Sequence, residues 1–376
     1  MTIKKCLFLF LINPDKDRDL PEQGGKAVYL WNRKHKMITP PYLKTGDKVA
    51  IIATARKVSL AEMEPAIAQL KSWGLKVITG NYLSAEYNQF AGTDEERTAD
   101  IQQMLDDADV KAIFCARGGY GSVRIIDWLD FKRFVASPKW IVGYSDITVF
   151  HSHINRNFGI ETLHGTMPVN FPPDGSETPS TESLRKALFG EDIHYRFASH
   201  TLNRNGAASG EIIGGNLSML YSLSASSSDV DTDGKILFIE DVDEYLYHID
   251  RMMMNLKRSG KLGRLAGLVV GGMTKMNDNT IPYGLTAEEI VADAVIEYDF
   301  PVCFNFPAGH QDNNFALIMG RQAELSVADE VELRFLQNSS QIKPFSRLKS
   351  LLIPTGVLLF FFALLYLLYA LIIKPR

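Results

Sequence analysis

Hydrophobic and polar positions alternate from residue 47 onward in a way that predicts strands and helices in turn. Short runs of β-branched and aromatic residues are followed by stretches with helical spacing, such as Leu60, Met63, Ala66 and Leu70, and Gly74 ends that first helix. This alternation is typical of a layered α/β domain with a mostly parallel sheet. The predicted strands are 49–55, 75–78, 111–116, 139–142 and 161–165, and the predicted helices are 60–73, 94–105 and 146–157.

The same kind of pattern resumes after an irregular stretch and predicts a second domain. Four prolines and Gly175 within residues 168–183 indicate a linker or an irregular crossover. We therefore predict an α/β domain at 37–167, a linker at 168–205 and a C-terminal domain at 206–338. The elements predicted for the latter are strands 235–239, 268–272 and 301–304, helices 247–257 and 287–298, and a hairpin of 323–327 with 330–335.

Residues 1–36 are predicted to be an extension outside the fold or a start-site artefact. Two lysines and an apolar run imitate a signal peptide, but the run stops at Ile12 and no small-residue cleavage site follows. Residues 13–36 are mostly polar and show no clear period.

Residues 351–373 are predicted to be a transmembrane helix. The segment is 23 residues long without one charge, and at about 1.5 Å per residue it would span roughly 34 Å as a helix. Basic residues precede it at 343, 347 and 349 and follow it at 374 and 376. This slight excess favours a cytoplasmic globular part, tethered to the inner membrane.

Composition and charge narrow the range of functions. The chain has 376 residues, of which 46% are hydrophobic and 22% charged, as in ordinary globular proteins. A formal net charge of −4, without a basic run with interleaved aromatics, argues against a nucleic-acid partner. Cys6, Cys115 and Cys303 share no metal-type spacing, and there is no His-Glu-x-x-His motif. We expect a small-molecule or peptide partner and no metal.

Ser145 lies where a predicted strand meets a predicted helix, in the sequence Lys139-Trp-Ile-Val-Gly-Tyr-Ser-Asp. A serine at such a junction lies beside unpaired helix N-terminal amides, which can stabilise an oxyanion. The arrangement is similar to a nucleophile elbow, but Ile147 stands where Gly-x-Ser-x-Gly has its second glycine. An ordinary helix N-cap is the alternative interpretation of Ser145.

Other polar residues follow predicted strands, and each has an unremarkable interpretation as well. Arg117-Gly-Gly-Tyr-Gly121 ends one strand, at the edge where α/β sheets bind ligands, although a Gly-Gly pair alone is a turn. Glu240 directly follows an apolar strand, and His310 lies in a small-residue loop. Each could be a solvated or capping group. His151 and His153 are two residues apart on a predicted helix, so they point apart and argue against a metal pair.

Five motifs in order resemble the L,D-carboxypeptidase family, which includes murein tetrapeptide carboxypeptidases and microcin C self-immunity peptidases. They are Cys115-Ala-Arg-Gly-Gly-Tyr-Gly121, Gly143-Tyr-Ser-Asp146, Gly214-Gly-Asn-Leu217, Leu237-Phe-Ile-Glu-Asp241 and Ala308-Gly-His310. The resemblance covers roughly residues 38–335. It implies an α/β domain that carries the nucleophile and a smaller, β-rich C-terminal domain that carries the other catalytic groups.

The resemblance also implies roles for individual residues. Ser145 matches the nucleophile, Glu240 the orienting carboxylate and His310 the general base of a Ser-Glu-His triad. Backbone amides matching Asp146 and a glycine of the Gly118-Gly119 pair would form the oxyanion hole. Arg117 is a candidate for binding the substrate's carboxylate, with a structural role as the equal alternative.

The function expected from the resemblance is serine-dependent hydrolysis of the bond to the terminal D-Ala of murein tetrapeptides, in cell-wall peptide recycling, through an acyl-enzyme. No cofactor is implied, the partner is a peptide, and a homodimer is left open. One alternative is a self-immunity amidase of the same family. Another is a membrane-anchored peptide-binding protein without catalysis. Because members of the family lack the terminal extensions seen here, the resemblance implies nothing about localisation.

Overall fold

The computed structural model describes residues 37–337, which form two β-sheets with helices packed on them. The helices are α1 (Leu60–Ser72), α2 (Asp94–Asp106), α3 (Ser122–Ile125), α4 (Lys132–Ala136), α5 (Thr148–Phe158), α6 (Pro179–Phe189), α7 (Leu217–Ser222), α8 (Leu246–Arg258) and α9 (Ala287–Ala294). The strands are β1 (Lys48–Ile52), β2 (Lys76–Thr79), β3 (Val110–Cys115), β4 (Trp140–Gly143), β5 (Thr162–His164), β6 (His194–Ala198), β7 (Gly206–Asn216), β8 (Ile236–Val242), β9 (Gly267–Thr274), β10 (Val302–Cys303), β11 (Leu317–Met319), β12 (Gln322–Val327) and β13 (Glu330–Phe335).

The N-terminal sheet has six strands in the order β11-β5-β4-β3-β1-β2. The strands β1 to β5 pair in parallel, while β11 adds to the edge in the antiparallel direction. The inner strands are apolar because helices cover both faces, and β4 is buried along its whole length. The predicted layered α/β architecture with a mostly parallel sheet is confirmed.

The C-terminal sheet is mixed, with seven strands in the order β10-β9-β8-β7-β12-β13-β6. The strands β7 to β10 pair in parallel, and β7, β12, β13 and β6 pair antiparallel. The hairpin strands β12 and β13 alternate buried and more exposed positions, as expected for a sheet with one covered face.

The segment predicted to be an irregular linker contains regular structure. A helix, α6, begins at Pro179 because Thr178 caps it through the amide of Thr181, and proline at the first helical position needs no hydrogen-bond partner. The strand β6 then completes the edge of the C-terminal sheet by pairing with β13. Proline-rich composition was the wrong signal here, since it marked a helix start as well as a loop.

Several contacts join the two halves, and three of them lie close to the strand ends or within the sheets. The backbone N–H of Asn216, at the end of β7, donates to Thr148 Oγ1 at the start of α5, over 2.9 Å. Arg321 and Glu161, both buried, form an ion pair of 2.6 Å between Nη2 and Oε2. The third contact is β11 itself, which lies in the N-terminal sheet although it follows most of the C-terminal one in the chain.

The predicted extension at 1–36 and the predicted transmembrane helix at 351–373 lie outside the described residues. Within 37–337, no helix is both long and apolar enough to cross a bilayer.

Candidate active site

Ser145 occupies a strained turn between β4 and α5. Its φ angle is 63°, in the left-handed region that non-glycine residues adopt at a cost of roughly 1–2 kcal/mol. The residue opens a 3₁₀ turn, Ser145–Ile147, that leads directly into α5. Its side chain is 8% exposed. This is the geometry of a nucleophile elbow, and it is reached without the second glycine of that motif.

Gly118 packs directly against the serine. A β-carbon built on Gly118 would lie 3.0 Å from Ser145 Cβ and 3.1 Å from Oγ, so only glycine leaves this space free. Outside regular helices and strands, no hydrogen bond of the described chain uses the amide of Gly118 or Gly119. Asp146 is the second residue of the 3₁₀ turn, where amides lack partners within the helix. Gly118 and Asp146, two of the residues predicted for an oxyanion hole, therefore lie next to Ser145, and their role stays a prediction.

The Asp146 side chain connects this turn to the glycine loop. Its Oδ2 accepts a hydrogen bond of 2.9 Å from the backbone N–H of Ser122, at the end of the loop. Burial raises the pKa of this carboxyl group above its ordinary value, and the hydrogen bonds from Ser122 and Gly121 oppose that rise. The bond holds the two halves of the predicted oxyanion hole in register.

Glu240 and His310 form a buried acid–imidazole pair. Glu240 Oε2 accepts hydrogen bonds from His310 Nδ1 at 2.7 Å and from the His310 backbone N–H at 3.2 Å. The carboxylate is fully buried, whereas the imidazole side chain is 20% exposed. Gly309 permits the approach, since a β-carbon there would lie 2.7 Å from Glu240 Oε2. The bond to Nδ1 leaves Nε2 as the ring nitrogen free to act on a substrate.

Each partner shifts the pKa of the other. Burial acts to raise the pKa of Glu240, but the charge and hydrogen bond of His310 outweigh burial, and the pKa lies below its ordinary value. Burial acts to lower the pKa of His310, but Glu240 outweighs that effect, and the pKa of the imidazole lies above its ordinary value. The pair is therefore built to stabilise an imidazolium, which is what a general base becomes when it accepts a proton.

Tyr144 places His310 beside the serine turn. The rings of Tyr144 and His310 are 4.9 Å apart between centroids. None of the hydrogen bonds in the described part of the chain joins Ser145 Oγ to His310. Hydrogen bonds of this kind commonly tighten only when substrate is bound. The structure thus brings Glu240 and His310 into contact, and sets the imidazole next to the residue that precedes Ser145.

The buried histidine His164 supports the His310 loop, and sequence reasoning missed it. His164 Nε2 lies 3.1 Å from Asn314 Oδ1, which also accepts a 2.8 Å hydrogen bond from the Gly309 N–H. Burial lowers the pKa of His164 to about 4, so this imidazole is neutral. His164 ends β5, next to β4 in the sheet. The rule that functional groups follow parallel strands could have found it.

Arg117 is turned toward another residue. Its guanidinium Nη1 lies 3.7 Å from Glu62 Oε1, and its side chain is 40% exposed. Its assignment to substrate binding stays a prediction.

The other sequence candidates have structural partners: His151 contacts Thr162 Oγ1 and the Gly143 carbonyl. Within residues 37–337, no group of three or more histidine, cysteine or acidic side chains is arranged to hold a metal ion.

The chain is similar to known carboxypeptidases along most of its length. Sequence models of the N-terminal and C-terminal domains of LD-carboxypeptidases match residues 49–165 and 209–325. A probable murein peptide carboxypeptidase of Bacillus subtilis is 36% identical over 312 residues, 81% of this chain and 95% of that protein. The murein tetrapeptide carboxypeptidase of Pseudomonas aeruginosa is 30% identical over 288 residues, 74% of this chain and 92% of that protein.

A solved structure gives the same result for the fold. The crystal structure of muramoyltetrapeptide carboxypeptidase from Oxalobacter formigenes superposes with a TM-score of 0.71 at 28% identity, and the match covers 77% of this chain and 99% of the other. The two matches cover most strands of both sheets, with Ser145 in the first match and Glu240 and His310 in the second.

Proposed function

The chain belongs to the LD-carboxypeptidase family, and from this premise we propose that it is a serine-type L,D-carboxypeptidase acting on murein tetrapeptides. It hydrolyses the bond to the terminal D-Ala in cell-wall peptide recycling. The observation that carries the proposal is the buried Glu240–His310 pair, with its imidazole beside the strained turn that presents Ser145. A peptide substrate fits the carboxypeptidase family to which the chain belongs.

The reaction proceeds through an acyl-enzyme. Ser145 Oγ attacks the carbonyl carbon before D-Ala while His310 Nε2 accepts the hydroxyl proton. The resulting oxyanion is stabilised by the amides of Asp146 and of the Gly118-Gly119 pair. His310 then protonates the leaving amine of D-Ala, the tetrahedral intermediate collapses to a Ser145 ester, and water activated by His310 hydrolyses that ester. Glu240 holds the imidazole with its proton on Nδ1 and stabilises the positive charge that develops on it.

Mass spectrometry of the products tests this function. The full chain is incubated with tetrapeptides that carry lysine or diaminopimelate at the third position, and we expect the mass of one alanine to be lost. A Ser145→Ala variant releases no D-Ala, whereas a Ser176→Ala variant, altered at an exposed serine far from the site in sequence, keeps full activity.

The alternatives give different products in the same assay. Cleavage of a peptide-nucleotide or acyl-sulfamate conjugate, with the tetrapeptides left intact, would identify a self-immunity amidase instead. If neither substrate is cleaved and an active-site serine probe fails to label Ser145 in the folded protein, the chain is a peptide-binding protein without catalysis.

We further propose that the enzyme acts in the cytoplasm, tethered to the inner membrane by residues 351–373. The uncharged run and its flanking basic residues are what support this. The full chain should sediment with membranes and a chain ending at residue 350 should not. Protease protection in intact spheroplasts, with cleavage after lysis, is expected for a cytoplasmic site; cleavage before lysis would contradict it.

A further inference from the structure

The side chain of Arg56 lies against the glycine loop that borders the serine. A β-carbon built on Gly119 would lie 2.6 Å from Arg56 Cδ, 2.7 Å from Cγ and 2.8 Å from Nε. The backbone of Gly119 has a φ angle of 108°, which glycine adopts freely. The arginine therefore packs on the face of Gly119 while the neighbouring Gly118 packs on Ser145. The adjacent residues Gly118 and Gly119 thus lie between Ser145 and the side chain of Arg56.

Arg56 is held in place by its backbone. Its N–H donates to the Gly118 carbonyl oxygen at 3.4 Å, and it forms an isolated bridge with Phe90. The residue is nevertheless exposed. Because Cγ, Cδ and Nε pack against Gly119, the side chain has fewer rotamers to lose when the exposed guanidinium binds an anion.

The neighbouring cations already have anionic partners, and Arg56 does not. Lys57 Nζ lies 2.6 Å from Glu86 Oε2, and Arg117 is paired with Glu62. Across the part of the chain that the structure describes, no hydrogen bond or ion pair involves the Arg56 guanidinium. The Arg56 guanidinium, whose side chain packs on the glycine next to Gly118, is thus a cation near the serine turn without an anionic partner among the described residues.

The position of Arg56 suits the binding site that an exopeptidase needs. A carboxypeptidase must recognise the free carboxylate of the last residue, and that carboxylate lies one residue, roughly 3.5 Å, beyond the scissile carbonyl. Gly118 and Gly119 are also one residue apart. A substrate that runs from Ser145 toward Gly119 would bring its terminal carboxylate to the glycine on which Arg56 packs.

We propose that Arg56 binds the free carboxylate of the substrate's terminal D-residue, and that it, rather than Arg117, sets the requirement for a carboxyl end. The inference rests on the proposed function, since it names the subsite for the residue released. A guanidinium can bind a carboxylate through two parallel N–H···O bonds, which gives direction as well as charge.

A pair of substrates tests the inference. D-residue release is measured for a tetrapeptide with a free terminal carboxylate and for the same peptide with a terminal amide. We expect Arg56→Gln to lower kcat/KM for the carboxylate by about 10- to 150-fold, the range for losing a hydrogen-bonded charged group, and to change the amide by less than about twofold. Lys57→Gln is the matched control, removing a neighbouring charge that faces Glu86, and should leave both values unchanged. Arg56→Lys should fall between wild type and Arg56→Gln.

Binding gives a readout that does not depend on turnover. In the Ser145→Ala background, calorimetry should show that wild-type Arg56 favours the carboxylate over the amide and that Arg56→Gln removes the preference. Equal losses on both peptides, or none, would overturn the inference; so would loss of the preference in Arg117→Gln alone. Failure of wild type to release D-Ala would instead overturn the proposed function, and the calorimetric preference would still decide the role of Arg56.

Discussion

The substitution Glu240→Gln removes the negative charge beside His310 and keeps the size of the side chain. Two unit charges about 4 Å apart attract by ~4 kcal/mol at an effective dielectric of about 20, and the Oε2 to Nδ1 contact here is 2.7 Å in a fully buried setting. This attraction is what outweighs burial in raising the pKa of His310. Without it burial and the charge of Lys275, which both lower the pKa, are opposed by the charge of Asp241 and not by Glu240, so we expect the pKa of His310 in the variant to fall below its ordinary value.

Activity should fall for a separate reason. A glutamine can present its NH₂ group to His310 Nδ1, which places the imidazole proton on Nε2, the nitrogen that must accept the serine proton. In a well-studied serine protease, the equivalent change of the orienting carboxylate to an amide costs about 10⁴ in kcat. A loss of roughly 10³–10⁴, or about 4–5.5 kcal/mol of barrier, is therefore expected here.

The assay is the pH dependence of kcat/KM for D-Ala release, together with NMR titration of His310 in the Ser145→Ala background. A general base must be neutral to accept a proton, so wild-type kcat/KM should rise as His310 loses its proton, at a pH above the ordinary imidazole pKa of about 6.5. In Glu240→Gln the same rise should occur at lower pH. Asp241, whose pKa burial raises to about 7, titrates in the same range, which is why the histidine is read directly. Glu244→Gln, which breaks the Glu244–His248 pair, is the matched control and should move neither.

The pH dependence of the free energy of unfolding reports on the same Glu240–His310 interaction. Because the folded pKa of His310 is raised, the stabilisation from its charge is fully present below about pH 6.5 and is lost as pH rises through the folded value. The contribution of Glu240, whose pKa is lowered, is lost as pH falls below about 4.5. Glu240→Gln should thus cost about 1.5–3 kcal/mol near pH 6 and less near pH 9. If Glu240→Gln changes neither the NMR titration of His310 nor the pH at which kcat/KM rises, the role assigned to Glu240 is wrong.

Three further substitutions probe the turn and the contact between the sheets. Ser145→Gly should be about 0.5–1 kcal/mol more stable to urea than Ser145→Ala, because glycine relieves the left-handed backbone and gives back part of that gain as chain entropy. Thr148→Val leaves the buried Asn216 N–H without its acceptor and should cost about 1–3 kcal/mol in the same assay. Its kcat should already be lower at urea concentrations below the midpoint of unfolding, where the protein is still folded. Arg321→Met removes the buried guanidinium that pairs with Glu161 and should cost about 3–5 kcal/mol in the same assay.

The sequence predicted the local structure of the nucleophile well, because the signals there are local. The apolar strand, the polar residue at its end and the helix pattern after it all lie within residues 139–157. The left-handed φ angle of Ser145 was not visible, since a glycine that would have announced the full elbow motif is replaced by Ile147. The pairing of Glu240 with His310 came from the family resemblance, and the structure brings the two into contact.

The features that sequence patterns missed depend on contacts between distant parts of the chain. The strand β11 is only three residues long, too short for a period, and exists because it pairs with β5. Its pairing places Asn314 against His164, which is 150 residues away. Arg56 could not be singled out from the sequence either, because its neighbours in the chain do not distinguish it from Arg117. Its packing on Gly119 and the ion pairs of the other cations are what distinguish it.

The contact between the sheets, more than either sheet alone, fixes the distance between base and nucleophile. Ser145 is placed by β4 and α5 in one sheet, and His310 by β8 through Glu240 in the other. The His310 loop leads directly into β11, which is hydrogen-bonded into the sheet that carries the serine. The loop is thus held at one end by Glu240 in the C-terminal sheet and at the other by β11 in the N-terminal sheet. Because the Gly309 N–H donates to Asn314 Oδ1, which in turn contacts His164 at the end of β5, this hydrogen bond helps to hold the imidazole beside the serine turn.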